Sequence, residues 1–334
     1  MPVKIGLLSL AHVHAERILA VLGGEADIEL AGIYHDEPAA GREAARRFGT
    51  GYHDSLDSFF RGGMDGVVVC SENYLHREHC LAAFRAGVQV LCEKPIATTS
   101  ADGLAIVRAA EASGLILKIA FTTRFSPAAA RLRGLARDGR LGRILSMVGT
   151  NHGKNPGGWF ADPLRAGGGS LMDHIVHQLD YARWMLGREP LQTYAEMDSF
   201  FGASAVEDAG LVQVEFEGGT LLTIDASWSR PPEFPGWGDN VIEVNGTEGS
   251  ALLDTQGERA MLYGRGPLTA RHLAWGEDPS RLMIRDFVDA LAGKASIGAD
   301  GRDGLAALET VLAAYRSVRS RRVEAVAGAN GELS

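Results

Sequence analysis

Short apolar runs alternate with amphipathic segments along the first third of the chain. The apolar runs have the length of buried strands, and they are Val3–Leu8, Ile28–Tyr34, Asp65–Cys70 and Val88–Cys92. The segments between them have helical periodicity, with glycine after the second and the third, and they cover residues 15–22, 43–48 and 76–86. Buried strands separated by helices indicate a parallel sheet that is covered on both faces.

The carboxyl ends of these predicted strands carry polar side chains. In open parallel sheets, ligands bind at that edge. The residues that follow the four strands there are Ser9, His35, Ser71 and Glu93. The sequence therefore predicts a ligand site at this edge of the sheet.

The pattern changes to hairpins after residue 124. Leu211–Phe216 and Thr220–Ala226 are joined through a Glu-Gly-Gly turn, and Val241–Val244 meets Ala251–Asp254 through Asn-Gly-Thr-Glu-Gly. Such turns between alternating strands indicate an antiparallel sheet. Two helices are expected at the end of the chain, near residues 281–291 and 304–319. We therefore predict two domains, residues 1–123 and residues 124–334.

Composition narrows the class of protein. The chain has 334 residues, of which 46% are hydrophobic, and a formal net charge of -9. A negative charge argues against nucleic acid as a partner, and no apolar run has the length of a membrane span. The three cysteines are odd in number, which suits reduced thiols better than disulfides. We expect a cytoplasmic protein that binds neither nucleic acid nor membrane.

The loop after the first strand resembles a phosphate-binding turn that has lost its glycines. In a G-x-G-x-x-G turn the glycines allow the bend and a close approach to pyrophosphate. Ser9, Ala11 and His14 occupy those places here. A helix N-terminus attracts anions whatever the turn residues are. His12 and His14 are read either as ligands of the phosphate or substrate, or as polar caps of the helix.

The end of the second strand bears on the choice of cofactor. An acidic residue there usually binds the adenosine ribose, but His35 takes that place and Asp36 follows it. Asp36 can accept from ribose hydroxyls, and no adjacent basic residue favours a 2'-phosphate. NAD is therefore favoured over NADP, with a solvated turn acid as the alternative reading of Asp36.

Two segments carry candidate catalytic residues. The triplet Glu93-Lys94-Pro95 follows a buried strand at the predicted ligand edge, where an ammonium can stabilise a developing alkoxide. Downstream, a run of three glycines precedes a helix with Asp173 and His177. Four residues apart, these two share one helical face, and a carboxylate beside an imidazole suits the removal of a hydroxyl proton. His174 points about 100° away from that face.

These segments resemble the glucose-fructose oxidoreductase, inositol dehydrogenase and MocA family of NAD(P)-dependent oxidoreductases. The likeness runs nearly end to end. Further residues that match the family are Asn73 and His76, Arg124-Phe125-Ser126-Pro127, Ser227-Trp228, Asn245-Gly246-Thr247-Glu248-Gly249 and Asp286-Phe287. The resemblance implies an N-terminal Rossmann domain and a C-terminal α/β domain with a large, mainly antiparallel open sheet.

The resemblance also implies roles for individual residues. The family's catalytic lysine falls on Lys94, its substrate-orienting aspartate on Asp173 and its acid/base histidine on His177. The expected cofactor-binding residues are Ser9, Leu10, Ala11, His12, His14, His35, Asp36, Ser71, Glu72, Asn73, His76, Glu93 and Lys94. The open sheet implies a homodimer or homotetramer. The sequence departs from the family at the glycine-poor turn, at His35 and at Glu72, where a proline is common.

The substrate is expected to be a sugar, inositol or related polyol. Candidate contacts are Lys94, Asp173 and His177, together with His152, Trp159 and His174. For Trp159, and for Trp237 in a Pro/Gly-rich loop, stacking on a sugar and packing in the protein are both open.

Three other functions remain open. One is NAD-dependent cleavage of a glycoside through transient oxidation, and another is a non-catalytic protein that binds a sugar or nucleotide. The third is a metal enzyme with His152, Asp173, His174 and His177 as ligands. No metal is expected, because adjacent helical side chains diverge.

Overall fold

The computed structural model of the protein describes residues 1–202, 204–257, 259–263, 270–274 and 276–328. Its strands are β1 (Val3–Leu8), β2 (Ile28–Tyr34), β3 (Tyr52–His53), β4 (Gly66–Val69), β5 (Gln89–Cys92), β6 (Leu117–Ile119), β7 (Ile144–His152), β8 (Pro190–Asp198), β9 (Ala209–Phe216), β10 (Leu221–Ser227), β11 (Val241–Gly246), β12 (Ser250–Asp254), β13 (Arg259–Tyr263), β14 (Ala270–Ala274), β15 (Ala299–Asp300) and β16 (Glu324–Ala325).

The α-helices are α1 (Ala15–Gly24), α2 (Pro38–Phe48), α3 (Leu56–Arg61), α4 (His76–Arg85), α5 (Ser100–Ser113), α6 (Pro127–Arg137), α7 (Pro163–Ala166), α8 (Val176–Leu186), α9 (Pro279–Leu291) and α10 (Gly301–Ser320). Short 3₁₀ helices occupy Asn73–Leu75, Thr122–Phe125 and Gly158–Ala161. A π-helical turn, Leu171–Ile175, runs directly into α8.

The chain divides into two compact units. Unit 1 contains Met1–Thr122, Leu164–Gly167 and Pro279–Leu305. Unit 2 contains Thr123–Pro163, Gly168–Asp278 and Ala306–Ser334.

Unit 1 is built on a seven-stranded sheet with the order β15-β6-β5-β4-β1-β2-β3. Neighbouring strands are parallel except for the short edge strand β15, which pairs antiparallel with β6. The sequence patterns predict these elements well because both faces of a parallel sheet are buried, so its strands are nearly continuous apolar runs. The bounds of β1 and β2 are those predicted, and the predicted glycine stop of α2 is confirmed: Gly49 caps it in the left-handed conformation at φ 68°.

Unit 2 contains a second seven-stranded sheet, with the order β12-β11-β7-β10-β9-β8-β16. The predicted hairpins are confirmed, since β9 pairs antiparallel with β10 and β11 pairs antiparallel with β12. β10 and β7 are a parallel pair in this otherwise antiparallel sheet. The predicted fold class, a Rossmann domain with an α/β domain built on an open antiparallel sheet, is therefore confirmed. Among the described residues, no helix is both long enough and apolar enough to cross a membrane.

A buried histidine makes unit 1 sensitive to acid. His79 lies in α4 with 3% of its surface exposed, and burial, with a smaller contribution from His76, lowers its pKa to about 4. In the unfolded chain a histidine titrates near pH 6.5. Between these values the unfolded state binds more protons, so stability falls as the pH is lowered from about 6.5 towards 4.

We expect His79→Leu to reduce this acid loss. The wild-type free energy of unfolding should fall by about 2 kcal/mol more than that of the variant between pH 7 and pH 5. Urea unfolding followed by circular dichroism at both pH values measures the difference. Equal losses in the two proteins would contradict the assignment.

Candidate functional site

In the turn between β1 and α1, Ser9 takes a backbone conformation that glycine usually takes. Ser9 has φ 73°, in the left-handed region that glycine usually takes. Its hydroxyl accepts a hydrogen bond of 3.2 Å from the Ala11 amide. For a residue other than glycine this conformation costs about 1–2 kcal/mol. At its first glycine position the turn thus keeps the left-handed conformation, and this position fits a dinucleotide.

Two histidines in this turn lie against a buried carboxylate. His14 Nδ1 lies 3.0 Å from Glu93 Oε1, and His12 Nε2 lies 3.9 Å from Glu93 Oε2. Burial opposes ionisation of the fully buried Glu93, but His12, His14 and Lys94 outweigh it and hold its pKa well below the usual value. Glu93 is therefore an ionised carboxylate beneath the turn. The sequence alone does not indicate this contact, because it joins positions 79 residues apart.

The residues after β2 are fixed by the same turn. His35 Nδ1 accepts a hydrogen bond of 3.4 Å from the Leu10 amide, and burial lowers the pKa of His35. Asp36 accepts a 2.6 Å hydrogen bond from the Tyr34 hydroxyl. The His35 ring is therefore neutral, with its proton on Nε2. The Asp36 carboxylate already forms a hydrogen bond with the Tyr34 hydroxyl.

The residues after β4 hold their own loop in place. Ser71 and His76 are completely buried. His76 Nδ1 lies 2.8 Å from the Pro95 carbonyl oxygen, and Nε2 lies 3.2 Å from that of Ser71. Burial lowers the pKa of His76, so its ring is neutral. His76 thereby connects the β4 loop to the segment that carries Lys94.

Glu72 and Asn73 bind the segment that contains α7. Glu72 forms a two-pronged ion pair with Arg165, in which Nε donates to Oε2 at 2.8 Å. The Asn73 amide donates a 2.8 Å hydrogen bond to the Ala166 carbonyl. In this structure both side chains serve to hold chain segments of unit 1 together.

Lys94 follows β5 directly and is only 3% exposed. Its amide donates a 3.3 Å hydrogen bond to Glu93 Oε2. Lys94 therefore lies at the carboxyl end of a parallel strand, the edge at which ligands bind in sheets of this kind.

In unit 2, Asp173 and His174 lie in the π-helical turn and are both buried. Asp173 Oδ2 accepts a 3.2 Å hydrogen bond from the indole of Trp228, and it lies 3.2 Å from His174 Nε2. His174 is fixed in turn by Asn151, whose carbonyl oxygen is 2.9 Å from Nδ1. Trp228 was noted in sequence only as part of the Ser-Trp motif, not as a partner of Asp173.

The prediction that His174 points away from Asp173 is wrong. That prediction assumed an ordinary α-helix, in which adjacent side chains diverge by about 100°. The turn Leu171–Ile175 is instead widened to the π form, in which hydrogen bonds span five residues. His174 Nε2 and Asp173 Oδ2 lie 3.2 Å apart in this turn. His177 lies beyond this turn, in the first turn of α8, and is partly exposed.

A buried carboxylate holds the start of the π-helical turn. Glu207 Oε1 accepts hydrogen bonds from the amides of Gly169 and Leu171, at 2.9 and 3.0 Å, and from the Tyr315 hydroxyl at 2.8 Å. A Cβ on Gly169 would lie 1.9 Å from the Glu207 carbonyl oxygen. The glycine run therefore allows the start of this helix to lie close to the Glu207 backbone.

His152 and Trp159 lie in other parts of unit 2. Both ring nitrogens of His152 lie near carboxylates, at 3.1 Å from Asp239 and 3.3 Å from Asp225. The hydrogen bond to Asp239 raises the pKa of His152. Trp159 is buried and stacks on Phe160 with ring centroids 3.8 Å apart.

A pocket of about 490 Å³ opens within unit 2 beside Trp228. Its wall combines aromatic, basic and amide side chains with two prolines. The residues that line it are Lys154, Asn155, Phe201, Asp208, Trp228, Ser229, Arg230, Pro231 and Pro232. The indole that fixes Asp173 thus forms part of the wall. This mixture of rings and polar groups is typical of a small-molecule site.

Within the described residues, the predicted site residues form two sets of contacts, one in unit 1 and one in unit 2. In unit 1 the turn residues 9–14 meet His35 and Glu93, and His76 meets Pro95. In unit 2 Asp173 meets His174, whereas His152 and Trp159 have partners of their own.

Comparison with known proteins gives one consistent answer. Residues 4–121 match the family model of oxidoreductases with an NAD-binding Rossmann fold, and residues 129–252 match the GFO/IDH/MocA C-terminal domain.

Individual relatives agree with these models. The chain is 33% identical to 1,5-anhydro-D-fructose reductase of Ensifer adhaerens over 76% of this chain and 77% of that protein. It is 28% identical to inositol 2-dehydrogenase of Rhizobium meliloti (strain 1021) over 98% of this chain and 100% of that protein. The crystal structure of GenD2 from gentamicin A biosynthesis in complex with NAD is similar, with a TM-score of 0.88, 26% identity and 97% of each chain covered. The chain therefore belongs to the Gfo/Idh/MocA family of oxidoreductases, enzymes with an NAD-binding Rossmann fold.

Proposed function

We propose that the protein is an NAD-dependent dehydrogenase or reductase that acts on a hydroxyl or carbonyl carbon of a sugar, inositol or related polyol. The observation that carries the proposal is the buried Lys94 at the carboxyl end of β5, in a unit that matches an NAD-binding family. Relatives named as an anhydrofructose reductase and an inositol dehydrogenase support the substrate class. NAD is proposed over NADP because Asp36 is acidic.

We assign the chemistry to three residues. His177 removes the proton from the substrate hydroxyl in oxidation and returns it in reduction. Lys94 and Asp173 bind the reacting oxygen, and the Lys94 ammonium stabilises its alkoxide charge. The bound nicotinamide supplies or accepts the hydride. His152, Trp159 and His174 are the proposed further substrate contacts.

The cofactor is assigned to the turn and the strand ends of unit 1. The proposed binding residues are Ser9, Leu10, Ala11, His12, His14, His35, Asp36, Ser71, Glu72, Asn73, His76, Glu93 and Lys94. Support comes from the left-handed Ser9, which keeps the turn in the form that accommodates a pyrophosphate.

The substrate is assigned to residues 124–334, where the pocket beside Trp228 has the polarity of a sugar site.

The experiment that tests this function is a thermal-shift titration with NAD, NADH, NADP and NADPH. A ligand at 100 times its Kd stabilises the folded protein by about 2.7 kcal/mol. We expect a clear shift with NAD and NADH, followed by turnover of a polyol in a screen at the nicotinamide absorbance. No shift with any of the four, after removal of co-purified cofactor, would contradict the proposal.

The open face of the sheet in unit 2 supports a homodimer or homotetramer. Val148, Leu211, Leu221 and Leu252 point to the same face, according to the strand register, and are 41–71% exposed. Exposed apolar side chains that share one face of an open sheet make this face a candidate interaction surface. Sedimentation should give a multiple of the 35.6 kDa chain mass, and Val148→Asp should lower it. A monomeric wild type would rule this out.

The three buried free cysteines support a cytoplasmic location.

A further inference from the structure

The polar groups in the wall of the pocket beside Trp228 indicate the chemistry of the ligand that it binds. The pocket has a volume of about 490 Å³, enough for a sugar or polyol, and its lining belongs to unit 2. A sugar hydroxyl both donates and accepts hydrogen bonds, whereas an ionised carboxylate only accepts and a phosphate group offers several acceptor oxygens. The hydrogen bonds that the wall already forms therefore distinguish a neutral ligand from an anionic one.

Lys154 brings a positive charge to this wall. Its ammonium donates a 2.8 Å hydrogen bond to the carbonyl oxygen of Pro232, which is a neutral acceptor. Among the described residues, no carboxylate forms an ion pair with it. An ammonium has further hydrogens to donate, so Lys154 can bind a ligand while it keeps its contact with Pro232.

Arg230 places a second cation on the same wall. The segments that carry the two cations are joined, because the Arg230 amide donates a 2.9 Å hydrogen bond to the Gly153 carbonyl oxygen. The guanidinium lies 4.9 Å from the centre of the Phe234 ring, and its Nη2 donates to Asp239. Within the part of the chain that the structure describes, its Nη1 has no acceptor. Arg230 is thus held in place and keeps a donor for a ligand.

The carboxylate in the described lining, Asp208, is already bound by the protein itself. Its Oδ1 accepts a 2.7 Å hydrogen bond from the Phe200 amide, and its Oδ2 accepts one of 2.9 Å from the Phe201 amide. With 2% of its surface exposed, Asp208 shapes the adjoining loop. It is therefore a poor acceptor for the hydroxyls of a sugar.

The neutral polar side chains of the wall also have donors to spare. Asn155 Oδ1 accepts a 2.8 Å hydrogen bond from the Gly157 amide, which leaves the side-chain NH₂ of Asn155 to donate. Ser229 Oγ accepts a 2.8 Å hydrogen bond from the Ser227 hydroxyl, so its own hydrogen is left for a ligand. The wall therefore offers mainly donors, and two of them belong to cations.

We propose that this pocket binds an anionic group, and that the substrate is a sugar or polyol with a carboxylate or phosphate group, which Lys154 and Arg230 bind. The inference rests on the proposed function and names a substrate class within it. An oxyanion accepts at each oxygen, and hydrogen bonds between charged groups are about twice as strong as neutral ones. The indole of Trp228, in the same wall, donates to Asp173 at 3.2 Å. The anionic group is therefore bound beside the residue that we assign to the reacting oxygen.

The test is isothermal titration calorimetry of the whole protein, saturated with NADH, against matched acidic and neutral compounds. The pairs are D-glucuronate with D-glucose, D-galacturonate with D-galactose, and myo-inositol 1-phosphate with myo-inositol. We expect the acidic member of at least one pair to bind about 10–100-fold more tightly than its neutral partner. The first two pairs test a carboxylate, and the third tests a phosphate.

The outcomes separate this inference from the proposed function. If no acidic member binds more tightly than its neutral partner, the inference is overturned. Oxidation of a neutral member by NAD, followed at the nicotinamide absorbance, would then leave the proposed function standing. If neither NAD nor NADH binds, the proposed function is overturned, and the inference with it.

Three variants locate the anionic group. Lys154→Met should raise the Kd and KM of the preferred acid about tenfold and leave kcat and the neutral partner within about twofold, because the lost contact is away from the reacting carbon. Lys154→Arg keeps the charge and should retain the preference. Lys294→Met removes an exposed lysine of unit 1 and serves as the control for net charge. An unchanged preference in folded Lys154→Met, checked by its melting temperature, would refute the role of Lys154.

Discussion

Replacing Lys94 with Met is expected to lower kcat by about 10²–10³-fold, and replacing His177 with Gln by about 10²–10⁴-fold. Met fills much of the space of the buried Lys94 stem but cannot stabilise an alkoxide. Gln can still form a hydrogen bond but cannot exchange a proton near neutral pH. In both variants KM and the Kd of the dinucleotide should change less than kcat, because the lost interaction is strongest in the transition state.

The measurement is steady-state kinetics at the nicotinamide absorbance with a substrate from the polyol screen. Lys118→Met is the matched control for lysine, because Lys118 lies on the neighbouring strand β6 and its ammonium bonds the Gly298 carbonyl at 3.0 Å. His53→Gln is the matched control for histidine. Both controls should keep kcat within about twofold of the wild type. Unchanged turnover in both Lys94→Met and His177→Gln would refute the assignment.

Local pattern was enough to predict the strands of unit 1 and the residues at their carboxyl ends. β1 and β2 are continuous apolar runs because both faces of a parallel sheet are covered. Such runs can be recognised from the local sequence alone. The residues that follow the strands, Ser9 and Glu93 among them, then lie where that topology puts them. The family motifs added the residue roles, which hydrophobic periodicity cannot supply.

The contacts that shape the candidate site were not predictable in the same way. The π-helical turn at Asp173 is held by Glu207 and Tyr315, which follow it by more than 30 and more than 100 residues. Nothing in the spacing of Asp173 and His174 distinguishes a π turn from an α turn. The same holds for the contact of His14 with Glu93 across 79 positions. Sequence patterns report local periodicity, whereas these contacts depend on which distant side chain occupies a buried position.

The ion pair between Arg124 and Asp180 in unit 2 is deeply buried on both sides. Arg124 Nε donates to Asp180 Oδ2 at 2.8 Å and Nη2 donates to Oδ1 at 2.5 Å, and the side chains are 4% and 0% exposed. No sequence pattern links these two residues, which are 56 positions apart. Removal of one partner leaves a buried charge without compensation, which typically costs 3–5 kcal/mol.

We therefore expect Asp180→Asn to lower the free energy of unfolding of unit 2 by about 3–5 kcal/mol. The double variant Arg124→Met with Asp180→Leu should be more stable than Asp180→Asn, because it removes both charges and fills the space with apolar groups. Glu189→Gln is the control within unit 2, since the ion pair of Glu189 with Arg183 is partly exposed and exposed pairs contribute at most about 1 kcal/mol.

Urea unfolding followed by tryptophan fluorescence measures these changes in the stability of unit 2. Trp159, Trp184, Trp228 and Trp237 all belong to unit 2, and Trp184 lies 5.5 Å from the Arg124 guanidinium. A change below about 1 kcal/mol in Asp180→Asn would mean that water or a neighbouring group compensates Arg124. A double variant less stable than Asp180→Asn would mean that the ion pair stabilises unit 2 more than the apolar pair that replaces it.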